Sequence, residues 1–305
     1  MSIATIHRLD RVLLPSAVAI DEISNARWSA GIQSLLERPA GHVHPMFRAT
    51  QSQQPQLEFT TQQLSTLLGV VGIGGASLAA TNSYFKLGSA TGNVARATTS
   101  HQRITINSSV IYWTSIRLPH NGPGEANVII ACNFDGTNDP FVYTGSVALN
   151  GTPTSTEWFG AGPVAINGSS VPGVQEIVID SGIQLIHEGG ESEVWPTFVG
   201  IQQTEPSVTI RTRETINWST IGLAGIALNG SSGLVFYARK FAANGARVAN
   251  GTSQHIAFQG LLGSAIPIDT SGDGTSPLTD TLKCELVAGS DSVLPLLITT
   301  GSAIT

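Results

Sequence analysis

Charge is what this sequence has least of. Asp, Glu, Lys and Arg make up 12% of 305 residues, about half the roughly 25% of an ordinary soluble domain. A lone monomer relies on a charged surface to stay dispersed, so a chain this neutral is expected to hide much of its surface in an assembly. Cations are scarcer still. Beyond Arg239-Lys240 no Lys/Arg cluster occurs, and tight nucleic-acid binding has no electrostatic footprint. Two cysteines make no disulfide framework. Cys132, in Val128-Ile129-Ile130-Ala131-Cys132, and Cys284, in Leu282-Lys283-Cys284, each read as a small buried strand residue. No charged-then-apolar signal segment opens the sequence, and its glycines break every long apolar run. The expectation is a soluble product, with no membrane span, that folds in a reducing cytosol.

Catalytic patterns are missing too. There is no Gly-x-Ser-x-Gly elbow, and no pair of Asp or Glu stands out as acid and base. The reading is of a protein that is not an enzyme and has no cofactor. His42-x-His44 offers two imidazoles on one side of a strand, but no third ligand is identifiable. Asp269, Ser271 and Asp273, with Asp280 further on, approach a calcium loop. Such a loop wants oxygen ligands at alternate positions and a bidentate acid between flanking helices. Here Asp280 takes the place of the usual Glu, and no helical pattern flanks it. A polar hairpin loop is the reading adopted, with no metal site.

What is present is a repeat, which takes precedence over any other pattern. Residues 31–61 begin Gly31-Ile32-Gln33 and run through Glu37, Val43, Pro45, Phe47, Gln51 and Pro55 to Thr61. Residues 182–212 carry Gly182, Ile183, Gln184, Glu188, Val194, Pro196, Phe198, Gln202, Pro206 and Thr212 at the same spacing, 10 identities in 31 positions. With small gaps the match continues. Tyr84 meets Tyr237, Cys132 meets Cys284, Thr144 meets Thr299, and Gly145-Ser146 meets Gly301-Ser302. The chain therefore reads as two copies of one domain, 1–149 and 150–305, each of an ordinary single-domain size. Residues 1–30 align poorly with the second copy and read as an N-terminal arm. The charge is uneven as well, with 9 Lys/Arg and 8 Asp/Glu in the first copy against 6 and 13 in the second.

Gln56-Leu57-Glu58-Phe59-Thr60 alternates polar and apolar, as does Ser207-Val208-Thr209-Ile210-Arg211, so each copy has a half-buried strand. Leu64, Leu67, Leu68 and Val71 then fall on one helical face, with Thr60 or Thr61 as N-cap and Gly72 as stop. Ile216, Thr220, Ile221 and Ala224 repeat the pattern. Val174 to Ile183 is β-branched and reads as a strand whose first-copy partner is Ile32 to Leu36. The remainder is strand-like and punctuated by Gly, Asn and Asp. The fold expected is mainly β, with tandem β-sandwich or barrel domains, each bearing one short α-helix. Polar loops at 88–101 and 241–254 are expected to make contacts.

A strand of the form Pro-x-apolar-x-apolar-x-Thr (Pro55, Leu57, Phe59, Thr61; Pro206, Val208, Ile210, Thr212) running into a helix resembles the tube domain of long-tailed bacteriophages. In particular it resembles the variant of the tail tube protein whose domain is duplicated. The resemblance covers roughly 31–149 and 182–304. It implies a virion structural protein located in the tail and assembled in the host cytoplasm. Three chains would make a pseudo-sixfold ring, rings would stack beside other tail proteins, and double-stranded DNA would pass through without sticking. The alternatives are another virion shell component (capsid, decoration or tail hub protein) and a tandem β-sandwich carbohydrate-binding protein or adhesin. The five Trp are not matched between copies, as the aromatic platforms of the last would be.

Overall fold

Alternation is realised where it is clearest: in Gln56–Thr61, Leu57 and Phe59 are buried and Glu58 between them is not. The computed structural model describes residues 7–87, 101–151, 157–190, 193–213, 225–271, 279–290 and 292–305. In the first half the elements are β1 (His7–Leu13), β2 (Ala19–Ile20), β3 (Ile23–Ser29), β4 (Ile32–Glu37), β5 (Phe47–Gln53), β6 (Gln56–Thr61) and α1 (Leu64–Val71), followed by β7 (Ala76–Leu78), β8 (Thr81–Leu87), β9 (His101–Ile106), β10 (Ser109–Pro119), β11 (Glu125–Cys132) and β12 (Phe141–Val147). In the second they are β13 (Trp158–Ile166), β14 (Ser169–Val171), β15 (Val174–Asp180), β16 (Gln184–Glu188), β17 (Phe198–Gln203), β18 (Ser207–Thr212), β19 (Ile226–Phe241), β20 (His255–Ser271), β21 (Thr279–Val287) and β22 (Leu297–Ser302). The fold is mainly β, with large antiparallel sheets and one α-helix among the described residues.

The strand order is the same in both halves. One first-half sheet runs β12-β9-β8-β1-β2, and the second half has β22-β20-β19-β13-β14. A second series, β3-β6-β11-β10, is matched by β15-β18-β21-β20. The long β19 and β20 each do the work of two first-half strands, β7 with β8 and β9 with β10. They bend from one series to the other and so join the second half's two series within a 13-stranded sheet that also takes in β3, β6, β7, β10 and β11 of the first half. Even the irregularities recur. The ladder slips between Trp113 and Ser115 on β10, and between Pro267 and Asp269 on β20.

Four expectations change. Residues 7–29 are no arm, since β1 and β3 are integral strands; residues 1–6 lie outside the described set. The counterpart of β15 is β3, because both flank the Pro-initiated strand, while Ile32 to Leu36 matches β16 instead. Cys132 does not meet Cys284. Its amide donates to the Pro55 carbonyl as that of Leu286 donates to Pro206, so the hydrogen-bond register places Cys132 with Leu286, two residues further on. Cys284 then stands with Ile130, opposite Val208 as Ile130 is opposite Leu57.

The helix begins later than Thr60 or Thr61. Its N-cap is Gln63, which makes no side-chain cap bond. The first amides, of Ser65 and Thr66, donate instead to Glu157 Oε2 at 3.1 and 3.4 Å, so a carboxylate from the other half sits at the positive end of the helix. Leu64, Leu67, Leu68 and Val71 are all buried, and Gly72 ends the helix with φ +58°. Each such side chain contributes about 1.5–3 kcal/mol relative to exposure. The helix expected at 216–224 lies outside the described residues.

One buried apolar cluster runs through both halves, from Leu9 and Val12 through Trp113 and Phe159 to Leu282 and Leu286. Trp113 donates its indole N–H to the Gly72 carbonyl at 2.6 Å. Phe236 and Phe258 stack with centroids 4.7 Å apart. Arg11 and Asp21 form a buried bidentate pair, 2.5 and 2.8 Å, and Arg11 also donates to the Asn150 carbonyl in the connection between halves.

Candidate assembly interface

The halves meet edge to edge. β10 is the last strand of its series in the first half, β15 the first of its series in the second, and the two pair antiparallel from Ser115↔Asp180 to Pro119↔Glu176. The result is an unbroken run, β3-β6-β11-β10-β15-β18-β21-β20. Isoleucines fill the core side of the seam, with Ile116 opposite Ile179 and Leu118 opposite Ile177, all fully buried. On the other side Glu176 holds two cations, Arg117 and Arg211, the second at 2.9 Å.

A hairpin reinforces the seam. β16 and β17 lie on the outer face of the first half's sheet, where Val199 joins Val110 and Ala131 in a small buried cluster with Leu185 and Ile201 packed against it. The hairpin's far end is fastened as well. Pro196 accepts a hydrogen bond from the Phe134 amide at 2.8 Å, and Trp195 packs on the Phe134 ring with centroids 5.6 Å apart. The Trp195 indole also donates to Gln53 Oε1 at 2.7 Å. Burial lowers the pKa of His187 on this hairpin below the ordinary histidine value, because desolvation disfavours the imidazolium.

The outer ends carry the same parts, largely uncovered by the described residues, although Gln53 at the base of the β4–β5 hairpin bonds Val194 and Trp195. β3, the counterpart of β15, ends its sheet with one edge free. β20 is bonded to β19 only as far as Ala265, so Ile268 to Ser271 have β21 on one side alone and are exposed. The β4–β5 hairpin repeats β16–β17 down to the bulge, but Val43 is 77% exposed and Phe47, Met46 and Leu36 all exceed half. An exposed apolar hairpin next to one open strand edge, with a second open edge at the far end of the run, is a surface that proteins do not usually leave bare.

The other sequence candidates do not converge on a chemical site. His42 and His44 lie in the exposed turn between β4 and β5. Asp269 and Asp280 sit on adjacent strands but one position out of register, so their side chains face opposite sides of the sheet. Asp280 is buried and accepts from Thr270 at 2.7 Å, and Asp273 lies outside the described residues. Among those residues, no three of His, Cys, Asp and Glu gather as a metal would need, and no helix is long and apolar enough to cross a membrane. Of the two polar loops, residues 88–100 lie outside the described set. Residues 241–254 fold back on β19, with Arg239 donating to the Val248 carbonyl and Arg247 reaching His120 of the first half. Comparison of the chain with protein-family models and with curated proteins gives no match.

Proposed function

We propose that this protein is a tail tube protein of a long-tailed bacteriophage, two tandem copies of one tube domain that supply neighbouring sixths of a ring. Three chains form the ring, rings stack into a tube next to other tail proteins, and the tube conducts DNA at ejection. The observation that carries the reading is the β10–β15 seam. Two like units stand side by side in one continuous sheet, and the matching outer edges on β3 and β20 are unpaired among the described residues. A head-to-tail contact of this kind closes into rings or runs on as a filament.

The sheet's outer face supports a conduit. Away from the hairpin it presents short polar side chains such as Asn127, Ser115, Thr209 and Thr281, with Asn127 bonded to the buried Thr60 at 2.8 Å and to Ser115 at 2.9 Å. Its cations on β10, β18 and β21 are each ion-paired, Arg117 and Arg211 sharing Glu176 and Lys283 meeting Glu285. On these three strands a phosphate backbone meets no cation that lacks a carboxylate beside it.

Electron microscopy of the purified protein tests the reading. Rings or tubes with sixfold-like modulation are expected. Monodisperse monomers at high concentration, alone and with other virion proteins, would overturn it.

A further inference from the structure

The internal seam specifies the external one. We infer that the edge of β20 left unpaired among the described residues pairs antiparallel with β3 of a second copy, whose β4–β5 hairpin lies over the β20–β21 sheet of the first. The proposal deepens the tube reading and rests on the equivalence of the two halves.

The register follows from the ladders already described. β10 and β20 hold the same positions against β11 and β21, so Ser115 corresponds to Asp269, Ile116 to Thr270 and Arg117 to Ser271. β15 and β3 hold the same positions against β18 and β6, so Asp180 corresponds to Ser29, Ile179 to Trp28 and Val178 to Arg27. Applying the pairs Ser115↔Asp180, Ile116↔Ile179 and Arg117↔Val178 to the outer ends gives Asp269 opposite Ser29, Thr270 opposite Trp28 and Ser271 opposite Arg27. Asp269 and Arg27 then face each other diagonally on one side of the sheet, within reach of an ion pair.

The hairpin contact changes chemistry in a matched way. Val199, Val110 and Ala131, buried together inside the chain, correspond to Arg48, Ser264 and Glu285. At the outer seam an exposed arginine therefore lands on an exposed carboxylate, where the inner seam has three apolar residues. Both partners are altered and the alteration is complementary, which identifies the occupant as a second copy of this chain. Among the described residues Glu285 pairs with Lys283, at 2.8 Å, on an exposed surface. The polar version suits a seam whose two sides must stay soluble until they meet, whereas the apolar version is never exposed.

Two sets of variants test the register. A chain carrying Asp269→Cys with Ser29→Cys is oxidised after assembly; covalent dimers and trimers are expected on a non-reducing gel. Thr270→Cys with Ser29→Cys, on opposite faces, is expected to give none. Arg48→Glu and Glu285→Arg, both at exposed positions, are each expected to raise the assembly threshold several-fold, and the two together to restore it. Tubes that form without the in-register cross-link, or a double charge variant no better than either single one, overturn this junction and leave the tube reading standing. Cross-linked oligomers that never stack support the junction and sink the tube. Monomers under all conditions overturn both.

Discussion

Gly31 and Gly182 adopt the same left-handed backbone, φ +58° and +59°, and each presses against the main chain of the residue that closes its hairpin, Gln54 and Glu205. A Cβ at either position would strike that residue's carbonyl oxygen. The Gln54 and Glu205 amides donate back to the two glycine carbonyls at 3.1 and 3.3 Å. Each glycine thus sets where a hairpin leaves the sheet, immediately before the proline-initiated strand.

Gly182→Ala should therefore cost more than the about 1–2 kcal/mol of a left-handed alanine, because the backbone contact must also open. Thermal unfolding is the measurement. Gly31→Ala should cost the monomer less, since the described residues hold its hairpin only at the base, where Gln53 bonds Val194 and Trp195, and should act chiefly on assembly. Equal losses in the two variants would contradict this.

The two thiols should be inert in the native state. Burial pushes both Cys132 and Cys284 up to about 12, and the thiolate is the reactive form. A disulfide exchange reagent at pH 8 is expected to titrate neither thiol in the folded protein and both after denaturation.

Asp21→Ala should be among the most damaging single changes. It strands Arg11, whose guanidinium is only 4% exposed, and breaking a buried pair by removing one partner costs about 3–5 kcal/mol. Denaturant titration measures the loss. Replacing both residues with apolar ones of similar volume should recover much of it.

The β16–β17 hairpin should loosen in acid. His187 has its folded pKa lowered by desolvation, so the unfolded hairpin takes up a proton more readily than the packed one. Its contribution is present above the ordinary histidine value of about 6.5 and is lost as pH falls through the lower, folded value. Hydrogen exchange of β16 and β17 across that window reports it, and His187→Gln should flatten the profile.

Much of the architecture was legible along the chain, because β6, β18 and α1 each bury one face and leave a period in the sequence. Strands such as β4 and β5 were visible only through their repetition, since neither face is buried within the chain. What the sequence hid were relationships between distant residues. Glu157 caps a helix far from it, and no local pattern announces that. His101 and His255 open β9 and β20, both fully buried, yet a one-residue gap beside them obscured the match. A two-residue slip likewise misaligned the cysteines. The assembly surface was hidden for another reason: Arg48 and Glu285 are unremarkable until the ladders place them where Val199 and Ala131 stand.

The β10–β15 seam has a kinetic consequence. Tethered partners meet at an effective concentration on the order of millimolar, so this joint closes at any dilution of the protein. Only the outer joint responds to concentration. In the proposed ring, half of the contacts are made during folding, and the threshold for growth is set by the polar half alone. Fusing two units separates a joint made for permanence from one made for timing, and each is free to vary without the other.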